Sequence, residues 1–383
     1  MVELHGMTWN HTRGYLPMVA TAQRFSELNP GVTIRWEKRS LQEFADFGLE
    51  RLVDKFDLLV IDHPFAGYAA AHGALLPLDK YLPAEFLADQ AAHSVGQSNA
   101  SYIYGGHQCG LATDAATPIS GYRTDLLEKA GLAPPTTWNE LLDFAARGLV
   151  VVSGIAIDTL CHFFMICTGL GEDPFVREDV VISEGIGVQA LNLLRELMGL
   201  VVPGCDQRNP IAVWELLTST DVAAYCPFAY GYSNYGRPRY ARHPLQFGGL
   251  VTMPNGVRCR STLGGAGLAI SSRSKEIAVA VDYSAFVASA ECQSGLYFDS
   301  GGQPGHRAAW VNERVNRESN NFFRDTLPTL DEAWLRPRWD GYIQFQEGAA
   351  EIVHKYVWHG GDARGTLQEL NQLLQRTRKE AIV

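Results

Sequence analysis

At 383 residues the chain is too long for one ordinary hydrophobic core and suits two domains of roughly 150–200 residues each. Its net charge is -10 with no lysine or arginine run, which excludes the concentrated positive charge that nucleic acid or an anionic membrane surface requires. No stretch approaches ~18 uninterrupted apolar residues, so no membrane insertion is expected.

Residues 3–9 read as a strand, followed by a turn at 11–14. The next helix carries Met18, Val19, Ala22, Phe25 and Leu28 at helical spacing and stops at Asn29-Pro30-Gly31. A second strand over 32–36, a helix over 41–55 and the apolar run Leu58-Leu59-Val60-Ile61 continue the alternation. Strand, helix, strand, helix, strand at these intervals predicts right-handed βαβ crossovers and an α/β fold. Further along, 119–122 reads as a strand and 124–130 as a short helix. Residues 138–147 form a helix with Thr137 as N-cap and Glu140 three residues on. Residues 150–156 are β-rich, and 187–200 give an amphipathic helix. Strands follow at 221–226 and 245–251. The glycine-rich 264–267 leads into Leu268-Ala269-Ile270 and a helix over 276–288, and the tail from 334 to 379 is helical.

Seven scattered cysteines include no CxxC and no Cys/His spacing of a zinc site. Buried free thiols, no disulfide, no metal and no cofactor are therefore expected, a pattern of reducing compartments. Met1 leads straight into the first strand, without the basic, apolar and small-residue succession of a secretory signal. The location is periplasmic if an export signal has been removed, and cytoplasmic if Met1 is the native start.

Several fragments resemble, in order, passages of the ABC-transporter extracellular solute-binding proteins of family 1, the sugar-binding type. Phe25-Ser26-Glu27-Leu28-Asn29-Pro30-Gly31-Val32 is similar to their "F-E-x-x-x-P-G-V", Phe56-Asp57-Leu58-Leu59-Val60 to "yDlv", and Gly73-Ala74-Leu75-Leu76-Pro77-Leu78-Asp79 to "G-x-L-x-P-L-D". The most specific match runs from Tyr122-Arg123-Thr124-Asp125-Leu126-Leu127-Glu128-Lys129-Ala130-Gly131-Leu132 to Pro135-Thr136-Thr137-Trp138, resembling "Y-N-x-D-L-F-x-K-A-G-L…P-x-T-W". Arg123 departs from the family's asparagine, and Cys109 from its usual apolar or aromatic residue. The resemblance implies a two-lobe periplasmic binding protein-like fold of type II, each lobe a mostly parallel sheet flanked by helices, with a double hinge crossing. Lobe one would hold residues 1–110 and 265–310, and lobe two 111–264 and 311–383 with the C-terminal helices. It further implies a monomer that closes on a small-molecule ligand and, if exported, serves an ABC transporter permease.

Ligands of open parallel sheets bind beyond the carboxyl ends of the strands. That rule selects Trp9, His11, Arg13, Arg39, Ser40, Asp62 and His63, although helix capping by Ser40 and Asp62 explains the same polarity. From the second lobe, Tyr230, Tyr232, Asn234 and Tyr235 offer aromatic faces and hydroxyls suited to a sugar. Asp114 and Gly265 flank the expected crossings. Arg13 and Arg39, with His11 and His63, bias the first wall positive, so a sugar acid or small carboxylate stands beside a sugar or polyol as ligand. The alternative is a cytoplasmic enzyme on the same fold, acting on a small carboxylated or hydroxylated substrate through His11, Asp62, His63, Asp114 and Cys226. No G-x-S-x-G, HExxH, P-loop or dinucleotide fingerprint accompanies them.

Overall fold

The computed structural model describes residues 1–40 and 49–380. Its main strands are β1 (Val2–Trp9), β2 (Val32–Arg39), β3 (Leu58–Ile61), β4 (Leu111–Ala116), β5 (Pro118–Tyr122), β6 (Tyr225–Tyr230), β7 (Gln246–Gly248) and β8 (Gly264–Ile270). The helices used below are α1 (Thr12–Leu28), α2 (Leu49–Val53), α3 (Ala66–His72), α4 (Ala84–Ala92), α5 (Thr124–Ala130), α6 (Trp138–Ala146), α7 (Ala156–Gly169), α8 (Glu184–Met198), α9 (Pro210–Ser219), α10 (Ile277–Ala288), α11 (Arg307–Trp310), α12 (Phe322–Asp331), α13 (Tyr342–His359) and α14 (Ala363–Glu380). Of the helix expected over 41–55, residues 41–48 lie outside the described residues and α2 falls within the rest.

The chain divides into two compact units, one of residues 1–116, 264–317 and 338–340, the other of 117–263, 318–337 and 341–383. In the first unit a five-stranded sheet runs β2-β1-β3-β8-β4. β1 pairs in parallel with β2 and β3, as βαβ crossovers require, while β8 pairs antiparallel with both β3 and β4. β3 is apolar throughout and buried throughout, the pattern of a strand covered on both faces. One core is built from Leu4, Phe25, Leu58, Val60, Leu268, Ile270 and Val287, with α1 and α10 closing it. Tyr283 crosses this core and satisfies its hydroxyl against Thr21 Oγ1 (2.9 Å) and Trp36 Nε1 (3.2 Å).

The second unit departs from a mostly parallel sheet. Its three-stranded ladder, β6-β5-β7, is antiparallel throughout, with Val150 alone extending it as a parallel bridge to Tyr225. The stretch 150–156 read as a strand therefore contributes one bridge, and α7 begins at Ala156. α7 is the unit's central helix: all but its first two residues are buried, against α8 and α13, with Phe164 edge-on to Trp334. α6 starts with a complete capping box, in which Thr137 accepts from Glu140 N and Glu140 accepts from the Thr137 N–H. β6 begins four residues after the strand expected at 221–226. Pro227 lies where the register slips between Ile119 and Gly121, and a bulge tolerates the missing N–H of proline.

Candidate functional site

At the end of β1, Trp9 is buried with its indole against Gly14, where an added Cβ would collide with the ring. His11 caps α1: its Nδ1 accepts the Arg13 N–H at 3.0 Å. Burial, and secondarily the Arg13 guanidinium, push the His11 pKa down to about 3, so this ring is a neutral acceptor at physiological pH. Arg13 turns inward from α1 and binds Asp114 of β4 with both ends of its fork: Nε donates to Oδ2 at 2.7 Å, and Nη2 to Oδ1. Both side chains are buried, at 4% and 1% exposure. Burial pushes the Asp114 carboxyl up, with the guanidinium pulling against it, and Tyr297 lies near enough to feel both charges. Of the two guanidiniums expected to meet an acidic solute, that of Arg13 is thus compensated inside the first unit.

Arg39, ending β2, folds back so that Nε lies 3.0 Å from Met7 Sδ. Ser40 is the last residue described before 49. Asp62 accepts the His63 N–H at 2.8 Å and starts a 3-10 turn, and the buried His63 ring keeps Nδ1 3.2 Å from the same carboxylate. Gly265 has φ +96°, and a Cβ there would sit 2.8 Å from the Ala115 Cα, so β8 can lie this close against β4 only with glycine at this point.

In the second unit, β6 delivers Tyr230 half-buried, its hydroxyl 3.4 Å from Thr262 Oγ1 and 3.7 Å from Cys161 Sγ. Tyr232, Asn234 and Tyr235 are buried, and Tyr235 donates to Glu215 at 2.8 Å. Cys226 is fully buried, which holds its thiol well above the ordinary range, so it is not an activated nucleophile. The residues of the enzyme reading divide between units, with Cys226 in the second and His11, Asp62, His63 and Asp114 in the first.

Residues that sequence reasoning passed over lie on the first turns of α7. Asp158 and His162, one turn apart, are buried, and neither Asp158 Oδ2 nor His162 Nδ1 has a hydrogen-bond partner. Burial lifts the Asp158 pKa to about 7 and drops that of His162 to about 3. Ser153 and Arg336 lie near enough to temper the Asp158 shift, yet Ser153 Oγ reaches no hydrogen-bond geometry. His162 packs on Phe228 of β6 at 4.5 Å. The available signal was two polar residues at i and i+4 on the apolar run 155–167.

A protein of Deinococcus radiodurans, described as a probable ABC transporter-binding protein, is 28% identical over 265 residues, and the match spans 62% of this chain and 59% of that relative. Among solved structures, maltose-bound T. maritima MalE3 superposes with a TM-score of 0.84 at 18% identity, covering 98% of this chain and all of that one. An ABC transporter solute-binding protein from Agrobacterium radiobacter, in complex with ribitol, gives a TM-score of 0.83 at 18% identity, covering 98% of each chain. At such identities these structures speak for the fold, which is that of the periplasmic binding proteins. The family model described as bacterial extracellular solute-binding protein matches residues 8–294, and the chain belongs to that family.

Proposed function

We propose that this solute-binding protein takes a small neutral polyhydroxylated solute, a sugar or polyol, and presents it to an ABC transporter permease. The observation that carries the choice of ligand is the buried Arg13–Asp114 pair: the guanidinium that would have favoured an acidic solute already holds a carboxylate with both ends. The second unit offers chemistry suited to hydroxyl groups. Tyr230 presents an aromatic face and a phenol, and Asp158, with its pKa near 7, can both donate to and accept from a hydroxyl. Maltose and ribitol, the ligands of the two similar structures, are neutral and hydroxyl-rich.

A thermal-shift screen of sugars, polyols and sugar acids identifies the ligand, and calorimetry on variants assigns the contacts. A neutral sugar or polyol is expected to give the largest shift. Tyr230→Ala and Asp158→Ala should each weaken it at least tenfold, while Arg39→Ala leaves it near wild type. A sugar acid as best ligand, with binding lost in Arg39→Ala, would overturn the neutral-solute reading. Turnover of the ligand into a new compound would overturn the binding role itself.

A further inference from the structure

A cluster in the first unit, outside every residue considered above, joins α4 to the start of α11. Asp89 lies on α4, and His93 caps its C-terminus one turn later. His306, 217 positions along the chain from Asp89, caps α11 and is buried, with 2% side-chain exposure against 45% for Asp89 and 49% for His93. Asp89 Oδ1 is 2.8 Å from His93 Nδ1 and Oδ2 is 3.2 Å from His306 Nε2, and the two rings stack at 5.0 Å. One donor atom from each residue lies within 4.8 Å of the others. Around a tetrahedral cation with bonds of about 2.0–2.2 Å, neighbouring donors stand about 3.3 Å apart. The Asp89 carboxylate is therefore already within 3.2 Å of a ring nitrogen on each side, through a different oxygen to each, and a small contraction of the trio would bring one donor from each residue to that spacing.

We propose that Asp89, His93 and His306 bind a divalent transition cation of the zinc class, with water completing the shell. Two imidazoles and a carboxylate suit zinc, copper or nickel better than magnesium or calcium, which take all-oxygen sets. The cation enters from the solvent side, past Asp89 and His93, and His306 anchors it from within. Loading requires two tautomer changes. His93 moves its proton from Nδ1 to its other ring nitrogen and gives up the 3.1 Å contact of Nδ1 with the Asp89 backbone carbonyl. His306, whose Nδ1 now accepts the Ala308 N–H at 3.2 Å, moves its proton from Nε2 to Nδ1 and gives up that cap. The surrendered contact is long and belongs to a helix of four residues, so little structure depends on it.

The test uses untagged full-length protein stripped with a chelator and titrated with Zn2+ alone, with Mg2+ in parallel. One Zn2+ per chain is expected, with no Mg2+ binding, and Co2+ in its place should show the visible absorption of a tetrahedral site. His93→Ala and Asp89→Asn should each weaken Zn2+ at least tenfold. Both changes are at exposed positions, and unchanged circular dichroism would show the fold intact. Zn2+ binding that survives both substitutions, or no binding in wild type, would overturn the proposal and leave the trio a hydrogen-bonded clasp between α4 and α11. Sugar or polyol binding by the same variants is a separate readout, so failure here leaves the ligand proposal standing.

Discussion

Arg13 and Asp114 are 101 positions apart in sequence, and the sequence shows two polar residues after apolar strands without showing that each is the other's partner. A buried charge that loses its partner keeps its full desolvation cost. Arg13→Ala should therefore destabilise the protein by about 3–5 kcal/mol, whereas Arg13→Met combined with Asp114→Leu should recover most of that loss. Urea denaturation of the three proteins checks this, and a double variant no better than the single would show that the pair is not coupled. His162 supports a prediction in pH. Its folded pKa, about 3, lies below the unfolded value of 6.5, so the unfolded chain holds the extra proton between those limits and stability is lost as pH falls through them. His11 acts in the same sense, and Asp158, raised to about 7, in the opposite one, so the comparison must be between proteins. Between pH 6 and 4 the stability of His162→Leu should fall less steeply than that of wild type, by about 1.4 kcal/mol per pH unit. Parallel slopes would contradict the buried neutral ring.

Elements were legible where local chemistry decides them. Thr137 and Glu140 announced a capping box, and the box is present; Thr137→Ala should cost about 1 kcal/mol in thermal or chemical unfolding. The Asn29-Pro30-Gly31 stop ends α1 because Asn29, placed before proline, leaves the helical region at φ -126° and ψ 80°, and Gly31 then turns the chain at φ +96°. β6 was misplaced because Pro227 and a run of tyrosines signal a loop by composition, while the bulge that accommodates the proline is a property of the strand opposite. The antiparallel sense of the second sheet was equally hidden, since an apolar run does not state its partner's direction. Gly265 marks a close approach of β8 to β4 that only a bare backbone allows. Gly265→Ala should destabilise by about 2–5 kcal/mol, combining unfavourable backbone angles with overpacking against β4, and a neutral substitution would contradict that geometry.

At the scale of the whole molecule, the alternation of the first 80 residues and the glycine-rich 264–267 were enough to expect a two-part α/β chain. The interleaving is visible only in the strand order: β8 lies between β3 and β4, so the first unit is not a contiguous stretch of chain. Residues 1–263 made alone should lack the cooperative unfolding of the full chain, since β4 is left without its neighbour and the Leu268 and Ile270 positions of the core are vacated. A sharp thermal transition from that fragment, equal to the intact protein's, would contradict this.

That same placement of β8 sets a clock during synthesis. The ribosome delivers β1 to β4 early, then makes roughly 150 more residues before the strand that joins β3 to β4, an interval of about 7–30 s at 5–20 residues per second. For that time the nascent amino-terminal segment carries two strand edges that β8 has yet to join. A chain so arranged remains available to whatever machinery handles unfolded polypeptides until more than two thirds of it has been made.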